Sequence, residues 1–305
     1  MMVVRVLFTA AAFFITHGIV LVQAWANDPL LTGSSGRIKN AAVYVIADNP
    51  GFQYFTTNFV EPLIGAYEIG KVFDFDEEDT SDVKSEFLKN LTFSLNKGRT
   101  VDLFILGHTN SYSKMLAGIP RDLRKKIRLV YNSGCYNVDD GPNLLSSYGI
   151  QAYVGHFGFS ASPLFLNKFI YNWLGSYYLR AAVARTNLAL AKAMIFGESS
   201  DLMEWGYNGI FFKMMSSSNG LKDRVYNYMG TEAAYAGCGT VHVLSHLYPE
   251  KCNSVIPNFK EILQNRNQYT QDLLRALQGD KNVSPAILKQ IKKWKKSMDQ
   301  DALLM

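Results

Sequence analysis

The chain has 305 residues, 48% of them hydrophobic and 19% charged, with a formal net charge of +5. That balance supports a sizeable packed core and excludes a globally disordered chain. So mild a charge excludes a nucleic-acid-binding signature. Lys289, Lys292, Lys293, Lys295 and Lys296 form the one dense basic cluster. A membrane or partner contact is one use for it, but a solvated helix face is the ordinary one.

The first charged residue is Arg5, followed by an apolar run from Val6 to Val22 broken only at Thr16, His17 and Gly18. Gln23-Ala24-Trp25-Ala26 then gives a small-x-small site before Asn27-Asp28-Pro29. This order of charge, apolar stretch and Ala-x-Ala is what a signal peptidase reads. An uncleaved anchor is the alternative, because about 17 apolar residues is the short limit for a span. The Ala-x-Ala and the nearby proline favour cleavage. The expected mature chain begins near Asn27, carries +4 once Arg5 is gone, has no integral membrane span, and is secreted or periplasmic. The expected organisation is a signal peptide over 1–26, a linker over 27–39, an α/β domain over 40–256 and a helical extension over 257–305.

Beyond the Gly/Ser-rich stretch from Gly33 to Lys39, strands and helices alternate. Ala41–Ala47 is a continuous β-branched and apolar run, predicted as a buried strand. A helix over Phe55–Ala66 leads to a second strand, Ile69–Phe75, and to the acidic run Asp76-Glu77-Glu78-Asp79. Val83, Phe87, Leu88, Leu91 and Leu95 form a helical stripe within Ser81–Leu95. Val101–Leu106, Ile127–Tyr131 and Gln151–Gly155 are three further predicted strands. A long helical stretch runs over Pro163–Phe196, interrupted at Gly175. Ser199–Gly239, rich in Gly, Ser, Asn and aromatic residues, reads as loops and short strands shaping a cleft wall. Two or three amphipathic helices follow Pro257, broken at Gly279 and Pro285. Strands separated by helices imply a mainly parallel sheet covered on both faces. Function gathers at the C-terminal strand ends of such sheets.

Two of those ends carry reactive residues. Val101-Asp102-Leu103-Phe104-Ile105-Leu106-Gly107-His108 and Ile127-Arg128-Leu129-Val130-Tyr131-Asn132-Ser133-Gly134-Cys135 each run from an apolar strand into a small-residue turn. Cys–His catalysis needs a thiol and a base on rigid elements within hydrogen-bond reach. Parallel neighbours lie about 4.8 Å apart, so two strand-end side chains can share one cleft. The adjacent glycines let a substrate backbone approach and leave amides to hold an oxyanion.

This layout resembles the caspase-like superfamily of cysteine peptidases, which includes caspases, legumains, gingipains, separases and bacterial CHAT-domain proteins. Their shared pattern is a strand ending in Gly-His-Gly or His-Gly, then a later strand ending in small-x-Cys. Leu144-Leu145 with Gly149–Gly155, and Phe165–Ala193 with Leu174-Gly175, resemble the CHAT-like segments downstream. The resemblance covers roughly Ala41 to Phe196, about half of the chain. It implies a caspase-like three-layer fold, an endopeptidase acting on peptide or protein substrates, and no cofactor. Cys135 matches the nucleophile and His108 the general base. The oxyanion hole would use the amides of Cys135 and Thr109. The family usually has glycine where Thr109 stands, so an inactive peptide-binding module on the same fold is the alternative. In basic-specific relatives an acidic residue lines the primary pocket, a role open to Asp139 and Asp140. An N-cap for a helix near Pro142 is the plainer reading of those two. His156, at another strand end, is a pocket candidate or a structural histidine.

Cys238 and Cys252 are close in sequence, while Cys135 stands apart from them. Cys238-x3-His242-x3-His246-x5-Cys252 can be read as four tetrahedral zinc ligands. In an exported protein a Cys238–Cys252 disulfide is simpler. Ser111-x-x-Lys114 matches a serine–lysine motif without its companion boxes, Asn90-Leu91-Thr92 is a glycosylation sequon, and no Gly-x-Ser-x-Gly elbow supports an acyl-hydrolase.

Overall fold

The computed structural model describes residues 37–48, 60–75, 81–107, 110–158, 162–197, 220–244, 252 and 254–302. The signal peptide expected at 1–26, residues 27–36 of the linker and residues 55–59 of the first predicted helix lie outside the described residues.

The apolar runs pair as the period-two pattern requires. Strand β1 (Ile38–Ala47) is buried along its last seven residues, as a strand covered on both faces must be. Around it lie β2 (Tyr67–Asp74), β3 (Thr100–Leu106), β4 (Ile127–Asn132) and β5 (Ala152–His156). A sixth strand, β6 (Ala233–Gly237), closes the far edge. The sheet order is β2-β1-β3-β4-β5-β6. All pairs are parallel except β5 with β6.

Alternation sends successive side chains to opposite faces, and each face has its own core. Val43, Val45, Phe104, Leu106, Leu129 and Tyr131 face one side and pack with α5 (Ser162–Leu174) and α6 (Leu179–Ala191). Tyr44, Ile46, Leu103, Ile105 and Val130 face the other, against α2 (Ser81–Asn96), the 3-10 turn Asn110–Gly118 and Leu144. The short helices α1 (Glu61–Ala66), α3 (Arg121–Arg124) and α4 (Asp140–Asn143) fill the connections. The architecture is therefore α/β, a mainly parallel sheet between two helical layers.

The long helical stretch breaks after Leu174, as Gly175 predicts: Gly175 and Ser176 turn, and α6 begins at Leu179. Helix α7 (Leu221–Thr231) and β6 both arise within the segment expected to be loops and short strands. Helices α8 (Phe259–Leu277) and α9 (Pro285–Ala302) end and begin at the predicted Gly279 and Pro285 punctuation. They are continuous with the main core: Leu273, Leu274, Ile287, Ile291 and Trp294 join the cluster that covers the first face. The five C-terminal lysines point away from it and are exposed.

One feature of the strands departs from plain alternation. Val101 is in register with Ile127, yet Asp102 pairs with Leu129, so Arg128 is the extra residue of a bulge. Arg128 and Asp102 meet on one face of the sheet, beside the bulge. Arg128 Nε donates to Asp102 Oδ1 at 2.9 Å and Nη2 to Oδ2 at 2.6 Å. Both residues are essentially sealed, at 1% and 0% exposure. The Tyr67 hydroxyl also donates to Asp102 Oδ2, and Trp173 Nε1 donates to the Tyr67 oxygen at 3.0 Å. Burial opposes the guanidinium charge, but the Asp102 carboxylate and the Tyr67 hydroxyl together outweigh it and raise the Arg128 pKa. Arg128 Nη1 reaches the carbonyls of His242 and Val243 at 3.1 and 2.6 Å, tying the segment after β6 to the sheet.

That segment carries the disulfide Cys238–Cys252, with Cα atoms 5.6 Å apart. The bond consumes both thiols, so the alternative zinc set of Cys238, His242, His246 and Cys252 does not form here. The ring of His242 instead packs edge-on against Tyr178, with centroids 5.5 Å apart, and His246 lies outside the described residues.

Candidate functional site

Strands β3 and β4 are adjacent and parallel, so their C-terminal ends emerge side by side. The turns beyond them are joined by hydrogen bonds. Ser133 N–H donates to the Ile105 carbonyl at 2.8 Å, and Gly107 N–H to Ser133 Oγ at 3.2 Å. A Cβ placed on Gly134 would lie 3.3 Å from the Gly107 carbonyl oxygen and 3.2 Å from both Asn132 and Asn137. A side chain at Gly134 would press on all three neighbours, so glycine suits the close packing of this turn. His108 follows Gly107 and Cys135 follows Gly134, each one peptide step of about 3.8 Å away. His108 and Thr109 themselves lie outside the described residues. Cys135 is partly exposed and belongs to no disulfide.

The turn that presents Cys135 is held by two asparagines that the sequence reading did not single out. Asn132 Oδ1 accepts from Gly134 N–H at 2.9 Å. Asn137 Nδ2 donates to the Asn132 carbonyl at 3.1 Å, and Asn137 Oδ1 accepts from His156 N–H at 2.7 Å. The amides of Asn137 and Val138 return to the His156 carbonyl at 3.1 and 3.2 Å. Any Cβ at Gly155 would stand 2.6 Å from Asn137 Oδ1, so that glycine is needed for the clamp. The Cys135 turn is therefore fixed to β4 behind it and to β5 beside it. The available signal was the pair of asparagines bracketing Ser133-Gly134-Cys135-Tyr136.

Tyr136, next to Cys135, has φ 54° and is 67% exposed. A bulky residue in the left-handed region is uncommon and costs stability. Its N–H donates to the Gly158 carbonyl, just beyond β5, at 3.1 Å.

The candidates for the primary pocket separate. His156 is 0% exposed and cannot line an open pocket, which corrects that expectation. Its Nδ1 faces the Thr231 carbonyl at 2.7 Å and so carries the proton; Nε2 then accepts from the Tyr131 hydroxyl at 3.1 Å. Burial pushes its pKa down to about 4, keeping the ring neutral. Asp139 is exposed and occupies the N-cap position of α4, but its side chain makes no capping bond. Asp140 is half-buried at the first helical position. Burial, the Asp139 charge and an opposing pull from Lys114 bring its pKa to about 6.

An open cleft of about 460 Å³ lies between the end of β5 and α8, lined by Phe157, Glu232, Glu261, Arg266 and Tyr269 among others. Arg266 spans it, pairing with Glu232 at 2.7 Å and stacking 3.8 Å over the Phe157 ring. Glu232 comes from the segment expected to form a cleft wall; residues 199–219 of that segment lie outside the described residues. No group of three or more His, Cys, Asp or Glu side chains suited to a metal occurs among the described residues, and no described helix is long and apolar enough to cross a membrane.

No known protein family, curated protein or solved structure matches the chain.

Proposed function

We propose that this chain is a caspase-like cysteine endopeptidase, exported and acting on peptides through Cys135 and His108. The observation that carries the reading is the pair of hydrogen bonds, Ser133 N–H to the Ile105 carbonyl and Gly107 N–H to Ser133 Oγ, that joins the turns leading to His108 and Cys135 at the ends of adjacent parallel strands. A sheet clad on both sides by helices suits the caspase-like three-layer fold that the sequence resembles. In the proposed chemistry the Cys135 sulfur attacks the scissile carbonyl carbon, and backbone amides of the turn stabilise the oxyanion. The carbonyl reforms as the C–N bond breaks, and His108 delivers to the departing amine the proton taken from the thiol. Water, deprotonated by His108, then attacks the thioester, releasing the acid and restoring the thiol. Export is supported by the leader-like N-terminus and by the Cys238–Cys252 disulfide, a bond that persists in oxidising compartments.

A fluorogenic peptide library tests this with wild type and Cys135→Ala side by side. Hydrolysis by wild type that disappears in Cys135→Ala is the expected result. Peptide binding without hydrolysis in both would favour the inactive interaction module, for which Thr109 in the usual glycine position is the supporting feature.

A further inference from the structure

We propose that the cleft between the end of β5 and α8 is a subsite for a Lys or Arg side chain of the bound peptide, several residues from the scissile bond, with Glu261 as the countercharge. This rests on the reading that the sheet edge at Cys135 takes peptides, and adds to it a selectivity remote from the reacting groups.

The cleft holds about 460 Å³, within the range of sites that enclose a small ligand or a side chain. One wall is a single face of α8: Glu261, Ile262, Asn265, Arg266 and Tyr269 recur at the spacing that stacks side chains along a helix. Phe157 and Glu232 form the other wall. Charge decides what this space takes. Both Glu232 oxygens are engaged: Oε2 accepts from Arg266 Nη2 at 2.7 Å and Oε1 from the Tyr228 hydroxyl at 3.1 Å. That pairing offsets the Arg266 guanidinium, which also lies 3.8 Å over the Phe157 ring. Glu261 is exposed and makes no ion pair among the described residues. Asn258 Nδ2 donates to its Oε2 at 2.9 Å, which steadies the carboxylate and adds no positive charge. One negative charge is left uncompensated. Ile262 and the Phe157 and Tyr269 rings offer apolar surface to the methylene stem of a long basic side chain, while Glu261 meets its head. The cleft is also within reach of Cys135. Tyr136 N–H donates to the Gly158 carbonyl at 3.1 Å, and Phe157 is the residue before Gly158. Two peptide steps and one backbone hydrogen bond thus connect Cys135 to Phe157, at most about 13 Å between Cα atoms, or about four residues of extended chain.

The test passes decapeptides randomised over Ala, Glu, Leu, Lys and Ser across immobilised Cys135→Ala protein and reads the retained peptides by mass spectrometry. Lys is expected to be enriched over Ala by about fivefold at low salt, the upper end for a partly exposed ion pair, and the excess to vanish in about 0.5 M NaCl. Glu261→Gln in the same background can keep the Asn258 bond but loses the charge, and should lose the Lys enrichment. Glu261→Lys should enrich Glu instead. Wild type then cleaves the retained peptides, and Lys should stand about three to five positions from the cut bond. Undiminished Lys enrichment in Glu261→Gln would overturn the proposal. So would Lys adjoining the cut bond, which would point to Asp139, or enrichment of Glu by the Cys135→Ala protein, which would point to Arg266. Lys enrichment without cleavage by wild type would end the peptidase reading and leave the subsite standing, whereas cleavage without Lys enrichment would do the reverse. If no peptide is retained and none is cleaved, both fall.

Discussion

Replacing Arg128 with Met isolates what the buried charge network contributes. Arg128 donates two hydrogen bonds to Asp102, at 2.9 and 2.6 Å, and one each to the His242 and Val243 carbonyls, at 3.1 and 2.6 Å, besides a longer one to Tyr67. Met fills the space along the Trp173 ring but supplies no donor. The Asp102 carboxylate, 0% exposed, is left without its countercharge. Breaking one side of such a pair costs about 3–5 kcal/mol. The two stranded carbonyls add about 1 kcal/mol more once water reaches one of them. A loss of about 5 kcal/mol is therefore expected, or a fall in melting temperature of about 10–20 °C for a chain of this size. The double variant Asp102→Leu/Arg128→Met removes the unpaired charge and should recover all but about 2 kcal/mol, because only the carbonyl and Tyr67 bonds remain unmade. Urea unfolding is the assay, with the midpoint read at a constant slope. A single variant within about 1 kcal/mol of wild type would refute the reasoning, as would a double variant no more stable than the single one.

His156 supplies a pH test. Its folded pKa of about 4 lies below the ordinary imidazole value, so the unfolded chain binds the extra proton between those limits. The resulting stability is fully present above about pH 6.5 and is lost as pH falls towards 4, on the order of 3 kcal/mol in all. His156→Gln should lack this acid-dependent component, and an identical acid slope in both proteins would contradict it. Thiol titration of the denatured protein should find one thiol before reduction, from Cys135, and three after it. Cys238→Ala/Cys252→Ala should lose about 3 kcal/mol, the value for a loop of this length. Three thiols before reduction would remove the disulfide.

Much of the sheet was legible because its strands are buried on both faces. The predicted runs Ala41–Ala47, Val101–Leu106, Ile127–Tyr131 and Gln151–Gly155 lie within a residue or so of β3, β4 and β5, and β1 extends three residues further back. β6 was illegible for the opposite reason. Ala233-Ala234-Tyr235-Ala236-Gly237 is short and small, with no β-branched residue, and becomes a strand only by pairing with β5. Asp102 and Arg128 were visible as one acid and one base at the second position of two neighbouring apolar strands. Their pairing follows only once β3 and β4 are known to be neighbours with Val101 beside Ile127, which is a tertiary fact. The Gly107 and Gly134 turns could be read from their small residues, whereas the Asn132–Asn137 clamp depends on β5 lying alongside, a tertiary fact. His156 looked like Cys135 and His108 in sequence, each just past an apolar run. Only the Phe165 and Tyr131 rings around it identify it as core.

The proposed dyad is tested most directly by labelling Cys135 with a peptidyl electrophile in wild type and in His108→Ala. Labelling should be confined to Cys135 and fall about a hundredfold or more without the imidazole, the lower end of what a positioned general base provides. Equal rates in the two proteins would show that sulfur and imidazole do not act together.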